Sequence, residues 1–163
     1  MSYPEPRYLG ASGEVSATYR RVDHEPELTF RETGNTVHYL ATGASTDGLF
    51  GLYRWDMGPL PSGPKPHFHR SISESFFVLS GTIRIFDGRV WIDTAPGDFI
   101  HVPEGGIHGF RNESGRPASM LIHFAPGAPR EAYMEGLAEF AVSGPPSDEE
   151  LAAFYLRHDN VWL

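Results

Sequence analysis

The chain has 163 residues, a formal net charge of −8 and no cysteine. This length is typical of a single domain of about 100–200 residues. The absence of cysteine excludes disulfides, thiolate zinc sites, iron–sulfur clusters and cysteine nucleophiles. The acidic charge argues against a nucleic-acid partner, because contact with phosphates needs a basic surface.

No apolar run approaches the roughly 20 residues that a membrane-spanning helix requires. We therefore expect no membrane span. The first seven residues, MSYPEPR, contain no basic flank followed by an apolar stretch, a pattern that predicts no signal peptide. On these grounds we expect a cytoplasmic protein that acts on a small molecule.

The first two segments of the chain differ in amino-acid composition. Residues 1–35 are polar and dotted with proline, and we interpret them as an N-terminal arm with room for one strand. Residues 36–126 contain short runs of β-forming residues that end at Gly, Pro or Asn. The predicted strands are 36–42, 49–57, 67–69, 75–79, 82–86, 90–94, 99–102, 108–111 and 118–124. Strands this short at near-regular spacing predict an all-β barrel or sandwich.

Residues 127–163 form a predicted C-terminal helical extension. Met134, Leu137 and Phe140 follow the spacing of a helical stripe. Further on, Ser147 and Glu150 have the spacing of a capping box, which marks the start of a second helix. We expect both helices to pack against the outside of the β region.

The histidines indicate where the chemistry lies. Four of the eight fall between residues 67 and 108. His67 and His69 are two residues apart, so on a strand their rings project from the same face. Glu74 shares an otherwise apolar strand face with Phe76 and Val78, where a carboxylate is costly unless it is paired or bound to a metal.

A second segment, residues 97–112, predicts a strand, a tight turn and a strand that begins at His108. Three neutral imidazoles and one carboxylate suit a divalent transition ion: iron, manganese, nickel, cobalt, copper or zinc. The alternative is a cluster of hydrogen-bonded polar side chains inside the β structure. Residue types alone leave both interpretations open.

The first of these segments resembles a motif of the cupin family. The stretch His67-x-His69-x4-Glu74-x6-Gly81 agrees with the first cupin motif. It departs upstream, where the leading glycine of the motif falls on Pro61. A run rich in glycine and proline can make the same turn, so the resemblance holds.

The second segment matches the second cupin motif at every specified position. It reads Gly97-x5-Pro103-x-Gly105-x2-His108-x3-Asn112. The resemblance extends over roughly residues 34–142. It is to small single-domain cupins of the quercetin-dioxygenase-like group, and it depends on a predicted context of strands on both sides of a turn.

The resemblance implies a cupin jelly roll, or double-stranded β-helix barrel, that holds a metal. Matched by position, the metal ligands are His67, His69, Glu74 and His108. The family also implies a homodimer and a dioxygenase, hence an oxidoreductase, that cleaves a small aromatic or enol of flavonol or polyketide type. In that activity Glu74 has the additional role of catalytic base.

Candidates for the substrate pocket are Phe76, Val78, Phe110, His101 and His123. Alternation places Phe76 and Phe110 on the faces of proposed ligands, whereas the faces of His101 and His123 stay undecided. Two other functions remain open. The metal could act as a Lewis acid in an isomerase, lyase or cyclase, or the protein could bind a ligand without turnover.

Overall fold

The computed structural model describes residues 2–163, and it confirms the all-β prediction. These residues form eleven strands and two helices. The strands are β1 (Leu28–Phe30), β2 (Asn35–Ala41), β3 (Gly51–Met57), β4 (His67–Phe68), β5 (Ser73–Ser80), β6 (Arg84–Phe86), β7 (Trp91–Asp93), β8 (Phe99–Val102), β9 (Gly109–Arg111), β10 (Ala118–Ala125) and β11 (Val161–Trp162). The helices are α1 (Arg130–Ser143) and α2 (Asp148–Arg157).

The strands form three antiparallel sheets in a jelly-roll arrangement. The largest has the order β1-β2-β3-β10-β5-β8, a second has the order β7-β6-β9, and the third pairs β11 with β4. Hydrogen bonds therefore do not close the strands into one continuous barrel. An isolated antiparallel bridge between His67 and His108 links the strand pair β4–β11 to the segment that enters β9.

The core lies on the inner face of the six-stranded sheet. Along the central strand β10, Ala118, Met120, Ile122 and Phe124 are buried and alternate with more accessible residues. This period of two is the pattern of a strand with one face on the core. Tyr53 on the neighbouring β3 pairs in register with Ile122, so both side chains lie on that inner face.

The C-terminal helices begin where the sequence predicts, and α1 packs against the core. In the capping box of α2, the Ser147 hydroxyl accepts from the Glu150 N–H at 3.4 Å, and Glu150 accepts from the Ser147 N–H at 3.0 Å. In α1, Tyr133 and Met134 belong to the same buried cluster as the inner face of β10. The expected helical extension is therefore present, and the apolar side chains on this face of α1 join the core.

The last strand, β11, was not predicted. After α2 the chain turns at Asp159, whose φ of +55° is left-handed, and β11 then pairs with β4. The register places Trp162 opposite His67. The C-terminus thus returns to β4, which carries His67 and ends one residue before His69. In the described part of the chain, neither helix combines the length and apolar composition needed to cross a membrane.

We predict that truncation of Met134 destabilises the whole domain. Met134 is buried in the core cluster, so Met134→Ala leaves a cavity and should reduce the free energy of unfolding by about 2–5 kcal/mol. The matched control is Val142→Ala, because Val142 lies on the same helix with 88% of its surface exposed. Chemical denaturation measures both variants. Equal stability of the two would show that α1 is an appendage.

Candidate metal centre

The fold brings the four candidate ligands to one buried point. The ligand atoms of His67, His69, Glu74 and His108 all lie within 4.8 Å of one another. The His67 and His108 backbones exchange two hydrogen bonds, of 2.8 and 2.9 Å, across their bridge. Their rings consequently stand side by side, with centroids 4.4 Å apart. The second cupin-like segment therefore meets the first in space, although the two are far apart in sequence.

Each histidine ring is oriented by a backbone carbonyl. Nδ1 of His67 lies 2.9 Å from the Lys65 oxygen, and Nδ1 of His108 lies 2.9 Å from the Gly106 oxygen. Nδ1 of His69 lies 2.6 Å from the oxygen of Asp159. A carbonyl only accepts, so in each ring Nδ1 carries the proton and donates. This arrangement leaves Nε2 of all three rings as the atom available to a metal.

The carboxylate of Glu74 completes the cluster. Its Oε2 lies 3.0 Å from Nε2 of His69 and 2.7 Å from Nε2 of His108. Both rings therefore have an acceptor at each nitrogen. A neutral imidazole donates from one nitrogen only, so this geometry needs either an imidazolium or a cation between Nε2 and the carboxylate. Three imidazole nitrogens and one carboxylate oxygen are a donor set that fits a divalent transition ion.

His67 and Glu74 have the protonation states of metal ligands, whereas at His108 the charge and hydrogen bond of Glu74 outweigh burial and raise the pKa. Burial lowers the pKa of His67 to about 4, so this ring is uncharged near neutral pH. Burial alone would raise the pKa of Glu74, but the charges and hydrogen bonds of His108 and His69 outweigh it and hold that pKa below its ordinary value. A neutral imidazole beside an ionised carboxylate is what metal coordination requires.

Two adjoining cavities lie next to the cluster. The smaller, which we call the inner cavity, has a volume of about 50 Å³ and is lined in part by His67, Glu74 and Arg130. The larger, which we call the outer cavity, has a volume of about 610 Å³, within the usual range for sites of small molecules. The two cavities share three aromatic walls: Trp55, Phe110 and Tyr133.

Of the predicted pocket residues, Phe110 lines both cavities. Phe76 lies on the inner face of β5, with its ring 5.7 Å from Phe110 and 6.0 Å from the His108 ring, but it belongs to the packed core behind the site. Val78 is likewise fully buried, one step further along β5. Neither is among the residues that line the two cavities.

His101 and His123 lie on the other side of the sheet. Both pair in register with Ser75, whose side chain points away from that of Glu74. The Ser75 hydroxyl and Nδ1 of His101 are hydrogen-bonded at 2.9 Å, and His123 stacks on Phe50. Neither histidine is among the residues that line the two cavities.

The C-terminal segment contributes residues that the sequence did not single out. The Asp159 carboxylate accepts from the backbone N–H groups of Arg70 and Ser71, at 3.0 and 2.8 Å. It thereby holds the loop after His69 while its own carbonyl orients that ring. The only sequence signal was a polar stretch after α2, which is equally typical of a helix end.

Similarity to known proteins agrees with this geometry. The family model of the cupin domain matches residues 53–124, which include all four candidate ligands. Residues 53–124 thus form a cupin domain. Quercetin 2,3-dioxygenase of Bacillus subtilis is 32% identical over 83 residues, which cover 50% of this chain and 24% of that protein.

Two further proteins extend the comparison. A probable germin-like protein of Arabidopsis thaliana is 30% identical over 148 residues, covering 79% of this chain and 64% of that protein. This cupin thus spans less than two thirds of the length of either curated relative. The structure of the polyketide cyclase RemF from Streptomyces resistomycificus is 27% identical, covers 69% of this chain and 80% of that chain, and has a TM-score of 0.55.

We predict that the cluster binds one divalent transition ion per chain. The double variant His67→Ala, His69→Ala removes two of the three imidazole ligands and should abolish binding. The matched control is His101→Ala, His123→Ala, which removes two histidines from the outer face of the sheet. Elemental analysis after loading with each candidate ion measures occupancy. A wild-type protein that binds none of the ions would contradict the prediction.

We also predict that Asp159 sets the affinity of the site without touching the metal. Asp159→Ala keeps the carbonyl but removes the carboxylate that holds the loop after His69, so it should weaken metal binding about 10- to 100-fold, the usual effect of losing support for a ligand. The matched control is Asp47→Ala, because Asp47 has the same left-handed backbone, with φ of +54°, on an exposed loop. Competition with a chromophoric chelator gives both affinities. Equal losses would assign the effect to backbone strain.

Proposed function

We propose that this cupin is a metal-dependent dioxygenase that acts on a small aromatic or enolic molecule. The observation that carries the proposal is the position of the ligand cluster. His67 and Glu74 form part of the wall of the inner cavity, which adjoins a larger cavity with aromatic walls. A flat, largely apolar molecule fits such walls, and one end of it would reach the cluster.

The proposed ion is held by His67, His69, Glu74 and His108. When bound, it supplies Lewis-acid polarisation of a substrate oxygen and a site at which dioxygen chemistry can occur. The protein supplies the rest. The backbone carbonyls fix the three rings before any ligand arrives, so the donor set needs little rearrangement on binding.

Glu74 is the proposed catalytic base. Its Oε2 contacts His69 and His108, whereas Oε1 has no hydrogen-bond partner among residues 2–163. The lowered pKa keeps this carboxylate ionised near neutral pH, so Oε1 is able to accept a proton from a substrate hydroxyl group. Loss of that proton would make the substrate electron-rich and therefore reactive towards dioxygen.

The similarity to quercetin 2,3-dioxygenase supports oxygen chemistry on an aromatic substrate. A second candidate function, that of a cyclase, is supported by a separate observation. The similarity to the polyketide cyclase RemF covers more of this chain and includes its three-dimensional structure. The same site could thus catalyse a cyclisation without oxygen, in which Glu74 moves a proton and no electrons are transferred to dioxygen.

The test is substrate-dependent oxygen uptake by the metal-loaded protein, with catechols, diketones and flavonols as substrates. We expect uptake by the wild type and a loss of turnover of at least about 100-fold in Glu74→Gln, with metal retained by the three histidines. The matched control is Glu104→Gln, because Glu104 is exposed in the turn before His108. Metal content and rate are measured on the same preparation.

The outcomes separate the candidates. A product formed equally fast without oxygen would reject the dioxygenase and favour the cyclase. No product from any substrate, with metal bound, would contradict both. Near wild-type turnover of metal-loaded Glu74→Gln would leave Glu74 as a ligand only and would reject its role as base.

A further inference from the structure

Arg130 is a buried cation that forms no ion pair among residues 2–163, although Glu74, whose Oε2 contacts His69 and His108, lines the same cavity. It is the first residue of α1, only 5% of its surface is exposed, and it lines the inner cavity. Its guanidinium donates to the backbone oxygen of His158 at 2.7 Å and to Oδ1 of Asn160 at 3.1 Å. No carboxylate among residues 2–163 forms an ion pair with it. Buried charges in proteins are normally paired, since an unpaired one is costly.

Part of this guanidinium is also left without a hydrogen bond. Nε of Arg130 is buried and has no acceptor among the described residues. The faces of the group are covered by the rings of Tyr133, at 4.3 Å, and Phe124, at 4.9 Å. The rings restrict the orientation of the guanidinium, and Arg130 borders the inner cavity, so an acceptor that enters this cavity is the candidate partner for Nε.

Other hydrogen-bond donors in the walls of the two cavities also lack an acceptor. Nε1 of Trp55 and Nε1 of Trp162 are buried without an acceptor among residues 2–163. Trp55 borders both cavities, and Trp162 borders the outer one. The Tyr133 hydroxyl accepts from Asn160 at 3.0 Å, but its own hydrogen has no described acceptor. The walls of the two cavities therefore contain several donors without an acceptor, and a molecule rich in acceptor oxygens would complement these donors.

The volumes determine how such a molecule lies. The inner cavity, at about 50 Å³, is too small for an aromatic ring but large enough for one or two oxygen atoms. The outer cavity, at about 610 Å³, accepts a fused ring system. A divalent ion on the ligand cluster would exceed the single negative charge of Glu74, so metal binding would add to the positive charge that Arg130 already supplies.

We propose that the ligand of these cavities is an aromatic anion whose charged oxygen, a carboxylate or an enolate, enters the inner cavity and binds Arg130, while its rings lie between the aromatic walls of the outer cavity. The inference rests on the proposed function, for which it names the substrate class. Arg130 is then the residue that selects the anion, by a charge-assisted hydrogen bond from Nε.

The test uses metal-free protein and a matched pair of probes, 2-naphthoate and its neutral analogue 2-naphthamide. Quenching of the fluorescence of Trp55 and Trp162 reports binding, and calorimetry confirms it. A hydrogen bond to a charged group contributes about 1.5–3 kcal/mol, so 2-naphthoate should bind about 10- to 100-fold more tightly than 2-naphthamide. Because no metal is present, failure of the proposed metal function leaves this result unaffected.

Three variants test whether the preference for the anion depends on Arg130. Arg130→Met should abolish the preference for the anion, and Arg130→Lys should retain only part of it, since lysine keeps the charge but lacks Nε. The matched control is Arg116→Met, because Arg116 is exposed in the turn before β10. The melting temperature of each variant reports whether it is folded.

Four results would overturn the proposal. Equal affinity of the wild type for both probes, or no binding of either probe at millimolar concentration, would do so without any variant. Retention of the preference in folded Arg130→Met would also do so. Loss of the preference in Arg116→Met as well would show that the anion responds to general surface charge and not to the cavity.

Discussion

The structure depends on keeping four polar side chains together in a buried place. An ionised carboxylate and three imidazoles are costly to remove from water unless every donor and acceptor is satisfied. Here Oε2 of Glu74 contacts two of the rings, and Nδ1 of each of the three rings donates to a backbone carbonyl. Two of those carbonyls lie two residues before the histidines that they orient. The third belongs to Asp159, which is 90 residues away from His69.

That long-range contact explains why the C-terminal segment is part of the domain. Residues 158–162 supply the carbonyl that orients His69, the strand that pairs with β4 and a ring that stands 4.9 Å from His67. Helix α1 adds Arg130 and Tyr133 to the cavity walls. The β strands bring the ligands together, but the helices and β11 determine what lies next to them. Stability and ligand recognition therefore share residues.

The parts of the molecule that the sequence predicts well have short-range causes. Turn residues and alternation located the strands of the jelly roll, and the spacing of His67 and His69 placed both rings on one side of β4. The faces of β8 and β10 were ambiguous because both carry large apolar residues on each side, such as Phe99 and Ile100. Strand β11 has only two residues, which are too few for an alternating pattern to be recognised in the sequence.

Arg130 marks the limit of such prediction, because an arginine at the start of a helix usually faces solvent. Its burial follows from contacts with α2 and the C-terminus that no local pattern encodes. The consequence concerns charge. The net charge of −8 excludes polyanions from the surface, yet it does not describe the interior, where Arg130 and the metal proposed for the ligand cluster make a cationic chamber. A small anion that enters the cavities moves from a negatively charged surface into an enclosed site of positive charge. Because the dielectric constant of that site is low, each contact between charges is stronger there. The acidic composition of the chain thus argues against a large polyanion as a partner, whereas the buried positive charges favour a small anion.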